Sequence, residues 1–429
     1  MLIEFRVANH RSLRDEQVLT MEAGRVGDET DPRPRHVPGH SERLLTVAGL
    51  YGANASGKSN VLAALSFMRE AVTMSHRVWS PNKGEHRGPL VPRDPFAWGP
   101  KKSEPSLFEA TFLLDGVRYQ YGFQVSDREF LEEWLYAWPS GKKQTWFERE
   151  NQVFKFGENL KGENKVIVEV TRPNASFLSS AAQHNHPQLA PVFAWFASYE
   201  VINLPGRRYP YDLLYSPPEL VWRLAKEASE RRLSEEGELP KPLLECVLTF
   251  LKKVDTGIVN VRVEGTVSSD DGLFRNPPSL FLRHQSDWDD AWLPLAEESN
   301  GTQTLFNMAL PILLVLHNGG VLLVDELERS LHPALARKII HQFNDPVANP
   351  KNAQIIFTTH DTNLLGTTLG EPALRRDQVW LTEKDTEGAT VLYPLTDYKP
   401  RKAENVERGY LQGRYGAVPF LGDFLAAPE

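Results

Sequence analysis

A single cysteine, Cys246, in 429 residues leaves no intrachain disulfide and no cysteine-based metal centre within the chain. Its apolar, helical surroundings predict a small core residue, and so little cysteine suits a reducing cytoplasm, the compartment expected. Long hydrophobic runs are missing as well. The longest apolar stretch, near Met308 to Leu316, is interrupted by Pro311 and falls short of the ~20 residues that a membrane-crossing helix needs. No membrane partner is therefore expected, and the opening residues Met1-Leu2-Ile3-Glu4-Phe5-Arg6 do not read as a signal peptide. A basic excess is also absent. Lys and Arg number 48 against 56 Asp and Glu, a net charge of −8. That excludes a uniformly basic nucleic-acid coat but not a local patch. Arg207-Arg208, Lys252-Lys253, Arg375-Arg376 and Arg401-Lys402 are expected to be solvated surface.

What is present is a phosphate-cradling loop. Gly52-Ala53-Asn54-Ala55-Ser56-Gly57-Lys58-Ser59 fits G-x-x-x-x-G-K-[ST] in full. The apolar Leu45 to Leu50 before it reads as a buried strand, and Asn60 to Leu65 opens a helix running from about Lys58 to Met74. A strand delivers the chain, glycines let backbone N–H groups turn inward, and a helix N-terminus aims its partial positive charge at an anion. Lys58 would reach the β- and γ-phosphates of ATP, and Ser59 would ligate Mg²⁺.

Downstream, Asp115-Gly116 between Leu107–Leu114 and Val117–Val125 is a two-residue hairpin signal. Further strands are expected at Leu131–Ala137, Thr145–Arg149 and Val166–Val170. Residues 80–105 read as a long Pro- and Gly-rich connection. Ser179 to Lys253 reads as mostly helical, broken by prolines, with a highly charged segment from Glu227 to Glu238. Strands return at Ile258–Val263 and Leu280–Arg283.

Three further motifs complete the chemistry. Val321-Leu322-Leu323-Val324-Asp325-Glu326 is a strand ending in two carboxylates. Beside a phosphate loop the first, Asp325, can hold the metal shell, and Glu326 can orient the attacking water. Ala353 to His360 is a second β run, whose terminal histidine would share that edge and contact the γ-phosphate. Ser299 is a good N-cap for a helix from Leu305 to Leu316, and Gly301 lets backbone approach a ligand. That corner could act on a nucleotide held by another subunit.

The order of phosphate loop, Ser-x-Gly corner, Asp-Glu strand and strand-end histidine resembles the ABC-type ATPase heads of the SMC, RecF and OLD class. In that class Ser299-Asn300-Gly301-Thr302 would match the signature, with Asn300 at its first glycine. Leu331-His332-Pro333 would cross the dimer interface and His360 would be the switch histidine. A narrower resemblance, to RloA-like prokaryotic AAA/ABC ATPases linked to restriction and anti-phage loci, rests on five pieces. These are Phe5 to Ser12, Tyr51 to Asn60, Thr171 to Ala175, Ser299 to Gln303 and Gly413 to Pro419. It implies that Arg11 approaches nucleotide together with Asn60.

The expected fold class is α/β, an ABC-type P-loop NTPase head with an inserted antiparallel β subdomain and a helical lid. Expected units are 1–75 and 257–398 for the two halves of the core, 76–178 for the insert, 179–256 for the lid and 399–429 for a tail. The resemblance implies ATP hydrolysis in a homodimer that sandwiches ATP, acting on a separately encoded effector, a nuclease or toxin. The 69 residues after His360 are few for a fused nuclease. The alternative is a RecF- or SMC-like repair ATPase that binds DNA with ATP. A barely hydrolysing scaffold is a third reading. The metal-sensing glutamine is left between Gln124 and Gln183.

Overall fold

The computed structural model describes residues 1–26, 30–79, 90–204, 243–254, 257–264, 279–401 and 404–419. The Glu227–Glu238 segment and Arg207-Arg208 lie outside the described residues. In chain order the strands are β1 (Leu2–Ala8), β2 (Gln17–Thr20), β3 (Val47–Gly52), β4 (Ser106–Leu114), β5 (Val117–Val125), β6 (Phe130–Trp138), β7 (Gln144–Glu150), β8 (Val153–Phe156), β9 (Glu200–Ile202), β10 (Ile258–Glu264), β11 (Ser279–His284), β12 (Trp292–Pro294), β13 (Val321–Val324), β14 (Gln354–Thr358), β15 (Val379–Lys384) and β16 (Thr390–Pro394). The helices are α1 (Lys58–Met74), α2 (Asn164–Val170), α3 (Phe177–Gln183), α4 (Ala190–Ala197), α5 (Leu243–Lys253), α6 (Asn300–Asn318), α7 (Pro333–Asn344) and α8 (Val406–Leu411).

The apolar β3, β13 and β14 pair in parallel at the centre of a six-stranded sheet ordered β16-β15-β3-β14-β13-β9. Every residue of these three strands is buried, as expected for parallel strands covered on both faces. Alternation along the strands feeds two cores. Ala48, Leu50, Leu323 and Ile356 join one core with α1, α4 and the antiparallel strands. Val47, Tyr51, Leu322, Val324 and Phe357 join the other with α6 and α7.

A seven-stranded antiparallel sheet, ordered β2-β1-β4-β5-β6-β7-β8, covers the first core. It is not confined to the inserted segment, because β1 and β2 form its edge and β1 pairs with β4. Gln354 ties the two sheets together, since its buried side-chain amide donates to the carbonyls of Leu2 and Leu45. The β4–β5 hairpin forms as expected, with Asp115 and Gly116 both at positive φ (49° and 75°), the pairing that matches strand twist.

Some expectations change. Val166–Val170 is helical, within α2, and not a strand. Asn164 and Ile167, three apart, turn inward while Val166 and Val170 are exposed, so one-sided burial overrides the β propensity of the valines. The helix after Ser299 runs through Pro311 and extends to Asn318. Cys246 is half-buried, short of a core position. Arg375 is not solvated surface: it is buried and pairs with Asp31 and Asp377, each at 2.8 Å. Among the described residues no helix is long and apolar enough to cross a membrane.

Candidate functional site

The phosphate loop joins β3 to α1 at the C-terminal edge of the parallel sheet. Ala55 and Gly57 both take positive φ (61° and 105°), which curls the backbone between Gly52 and Lys58. Asn54 and Ala55 stand exposed at its tip, with Ala53 half-buried beside them. The N-cap of α1 is Gly57, with no side-chain cap and no acidic residue in the first turn. Such an end is suited to an anion. Lys58 is buried, and its Nζ donates to the carbonyls of Gly52 (2.9 Å) and Ala53 (3.0 Å). Burial lowers its pKa, against the opposing pull of Asp325, Glu328 and Glu326. A cation so desolvated is well placed to gain from a phosphate.

The Asp-Glu turn meets the loop directly. Ser59 Oγ donates to Asp325 Oδ1 at 2.8 Å. Thr358, at the end of β14, donates to the same oxygen at 2.7 Å and accepts from the backbone N–H of Glu326 at 2.8 Å. Asp325 is buried, whereas Glu326 is exposed at the sheet edge with φ 52°. A hydroxyl and a carboxylate in contact are two hard oxygen donors of the kind Mg²⁺ takes, with water and phosphate oxygens supplying the rest. Among the described residues no group of three or more His, Cys, Asp and Glu side chains could hold a metal by itself. A shared metal of this kind fits; a wholly protein-built one does not.

His360 follows β14 on the same edge. Partial desolvation, then the charge of Lys58, lowers its pKa, while Glu328, Glu326 and Asp325 pull the other way. The partial desolvation therefore favours the neutral ring. Arg11, at φ 50°, is engaged elsewhere: its Nε faces Asp94 Oδ2 at 3.4 Å and its N–H donates to Asp94 O. Its neighbour Ser12 is nearer the loop and accepts from Asn60 Nδ2 at 2.6 Å.

Ser299 and Gly301 form a separate corner. Ser299 caps α6, accepting from Thr302 N at 3.2 Å. It is exposed, and a Cβ on Gly301 would lie 3.2 Å from the Ser330 carbonyl, so the corner packs beside the Asp-Glu turn. His332 accepts from Ala334 N to open α7. Gln124 donates to Glu132 on the antiparallel sheet, and Gln183 ends α3.

A polar layer beneath the loop was not legible in the sequence. Ser56 Oγ and Thr382 Oγ1 are 2.6 Å apart, and Thr390 Oγ1 donates to Ser56 O and lies 2.7 Å from Ser12 Oγ. These threonines come from β15 and β16, over 320 positions beyond the loop, and no local pattern marks them.

This arrangement agrees with the sequence family described as "AAA domain, putative AbiEii toxin, Type IV TA system", which matches residues 47–366. The chain belongs to this family. It carries an AAA domain. No curated protein matches it. Among solved structures it is similar to an SmcHead bound to the C-winged helix domain of ScpA (12% identity, TM-score 0.44), covering 91% of this chain and 96% of that one. It is similar to an SMC head domain from Thermotoga maritima (12%, TM-score 0.37; 92% and 98% covered). It is also similar to an Smc head domain with an extended coiled coil, bound to the C-terminal domain of ScpA, derived from Pyrococcus furiosus (12%, TM-score 0.40; 93% and 97% covered).

Proposed function

We propose that this head binds and hydrolyses ATP with Mg²⁺, and that two copies sandwich the nucleotide. In this reading the loop from Gly52 to Ser59 cradles the phosphates and Lys58 neutralises them. Asn60, bonded to Ser12, borders the site, while Arg11 would have to leave Asp94 to reach it. Ser59 and Asp325 would hold a Mg²⁺, which would supply charge neutralisation to the triphosphate. Glu326 orients the water, and neutral His360 can accept or donate a hydrogen bond at the γ-phosphate. Ser299 and Gly301 of a second copy cap the nucleotide, completing a site that one copy leaves open.

The observation that carries this reading is the contact between Ser59 Oγ and Asp325 Oδ1. It joins the phosphate loop to the Asp-Glu turn across 266 positions of sequence. The experiment is steady-state phosphate release by the purified chain with ATP and Mg²⁺, beside Lys58→Ala. Release by the wild type, lost in K58A together with calorimetric ATP binding, supports the reading. Equal release by both overturns it.

We further propose that the cycle regulates a separately encoded effector in a defence or restriction-linked system. The family's description, which includes a toxin and a type IV toxin–antitoxin system, supports that direction. Co-purification with the product of a neighbouring gene, dependent on ATP, tests it. Capture of duplex DNA with a steep salt dependence would favour the repair reading instead.

A further inference from the structure

The turn after the Asp-Glu pair doubles back on itself. Arg329 N donates to Glu326 O and Leu331 N to Glu328 O, so the chain reverses immediately below the strand end. This brings the half-buried Glu328 against the loop that follows β14. Both of its carboxylate oxygens are used there. Oε2 accepts from Thr359 Oγ1 at 2.7 Å, and Oε1 accepts from the backbone N–H of His360 at 2.6 Å. With Thr358 bonded to Asp325 and to Glu326 N, three consecutive residues of one loop are each fastened to the turn carrying the carboxylates. Leu327 N donating to Thr358 O closes the set.

We propose that Glu328 is a positioning residue for hydrolysis: its carboxylate clamps the His360 loop to the Asp-Glu turn, and so fixes His360 relative to Glu326. This rests on the reading of Glu326 and His360 given above. The clamp needs acceptor geometry rather than charge. A glutamine can present its carbonyl to His360 N and its amide to the Thr359 hydroxyl, which can reverse its role. A group acting as a proton acceptor or as a charge partner for Lys58 could not be replaced in that way.

The test compares Glu328→Ala, Glu328→Gln, Thr359→Val and E328A combined with His360→Ala. Each is measured for kcat and KM of ATP hydrolysis and for binding of a non-hydrolysable ATP analogue. E328A is expected to lower kcat by about tenfold to a hundredfold, the scale of a misplaced catalytic group, while analogue affinity stays within about twofold of wild type. E328Q should recover most of the loss, T359V should show a smaller loss in the same direction, and the double variant should be no slower than H360A. Should E328A not fold, E328Q and T359V carry the comparison. Wild-type kcat in E328A, an equal loss in E328Q, wild-type kcat in T359V, or additive losses in the double variant would each overturn the clamp while leaving the ATPase reading standing. A wild-type chain that releases no phosphate takes both down.

Discussion

Gly57 shows how much of the site rests on one residue. Its φ is 105°, and a Cβ built there would lie 2.0 Å from Thr390 Oγ1 and 2.8 Å from Ser12 Oγ. Both the conformation and the space demand glycine. Gly57→Ala is expected to push the loop off its polar layer and weaken ATP binding by at least about tenfold, some 1.4 kcal/mol, measurable by calorimetry. His186 offers a test of a different kind. The ring is buried, its Nε2 lies 3.0 Å from Asn164 Oδ1, and its Nδ1 accepts from Leu189 N, so it folds as the neutral form. Burial lowers its pKa below the ordinary 6.5. In the window beneath that value the unfolded chain takes the proton and the folded one resists, so the stabilisation is complete above pH 6.5 and is lost as pH falls. His186→Gln should flatten the decline in Tm between about pH 7 and 5 relative to wild type. An unchanged slope would show that His186 does not drive it.

At the scale of elements, Glu133 on β6 joins the antiparallel sheet to α3. Its carboxylate is fully buried, accepts from the N–H groups of Phe177 and Leu178 and from Tyr121, and faces Arg149 at 3.3 Å. Arg149 in turn donates to the carbonyls of Pro173 and Ala175. The loop between them also reaches α1, because Arg172 donates to the carbonyls of Ser75 and His76 just past its end. Desolvation raises the pKa of Glu133 against the pull of Arg149, so removing either partner leaves an uncompensated buried group. Glu133→Ala should cost about 3–5 kcal/mol, read from urea unfolding, and Glu133→Gln less. This hub was invisible in sequence, where Glu133 is one charge in an ordinary strand. The β4–β5 hairpin was legible, because Asp-Gly is a local signal whose backbone demands are met within four residues. Val166–Val170 departs from its strand reading because what decides its conformation lies outside the segment: Asn164, at the start of α2, bonds to Leu160 and His186, and α2 packs on α3.

For the whole molecule, the proposed sandwich would have a second copy cover the exposed Ser299 and Glu326. Glu326→Gln is expected to bind ATP, lose turnover by at least about a hundredfold, and double in mass by light scattering when ATP and Mg²⁺ are added. A variant that stays monomeric under saturating ATP would remove the sandwich from the account. Adding Ser299→Ala to that variant should weaken the ATP-dependent mass increase without weakening calorimetric binding to a single copy.

By itself the sequence determined the phosphate loop, the apolar strands ending in Asp-Glu and in histidine, the hairpin, and the family these imply. Each is a contiguous pattern whose physics is local: glycine torsions, buried parallel strands, an uncapped helix end. Tertiary structure alone decided that β1 and β2 complete the antiparallel sheet, that Thr382 and Thr390 floor the loop, and that Glu328 and Thr358 bind the Asp-Glu turn to the loop after β14. Those contacts join residues far apart in the chain, on parallel strands reached by crossovers and on antiparallel strands alike, and such a long-range partner leaves no trace in the neighbouring letters of the chain.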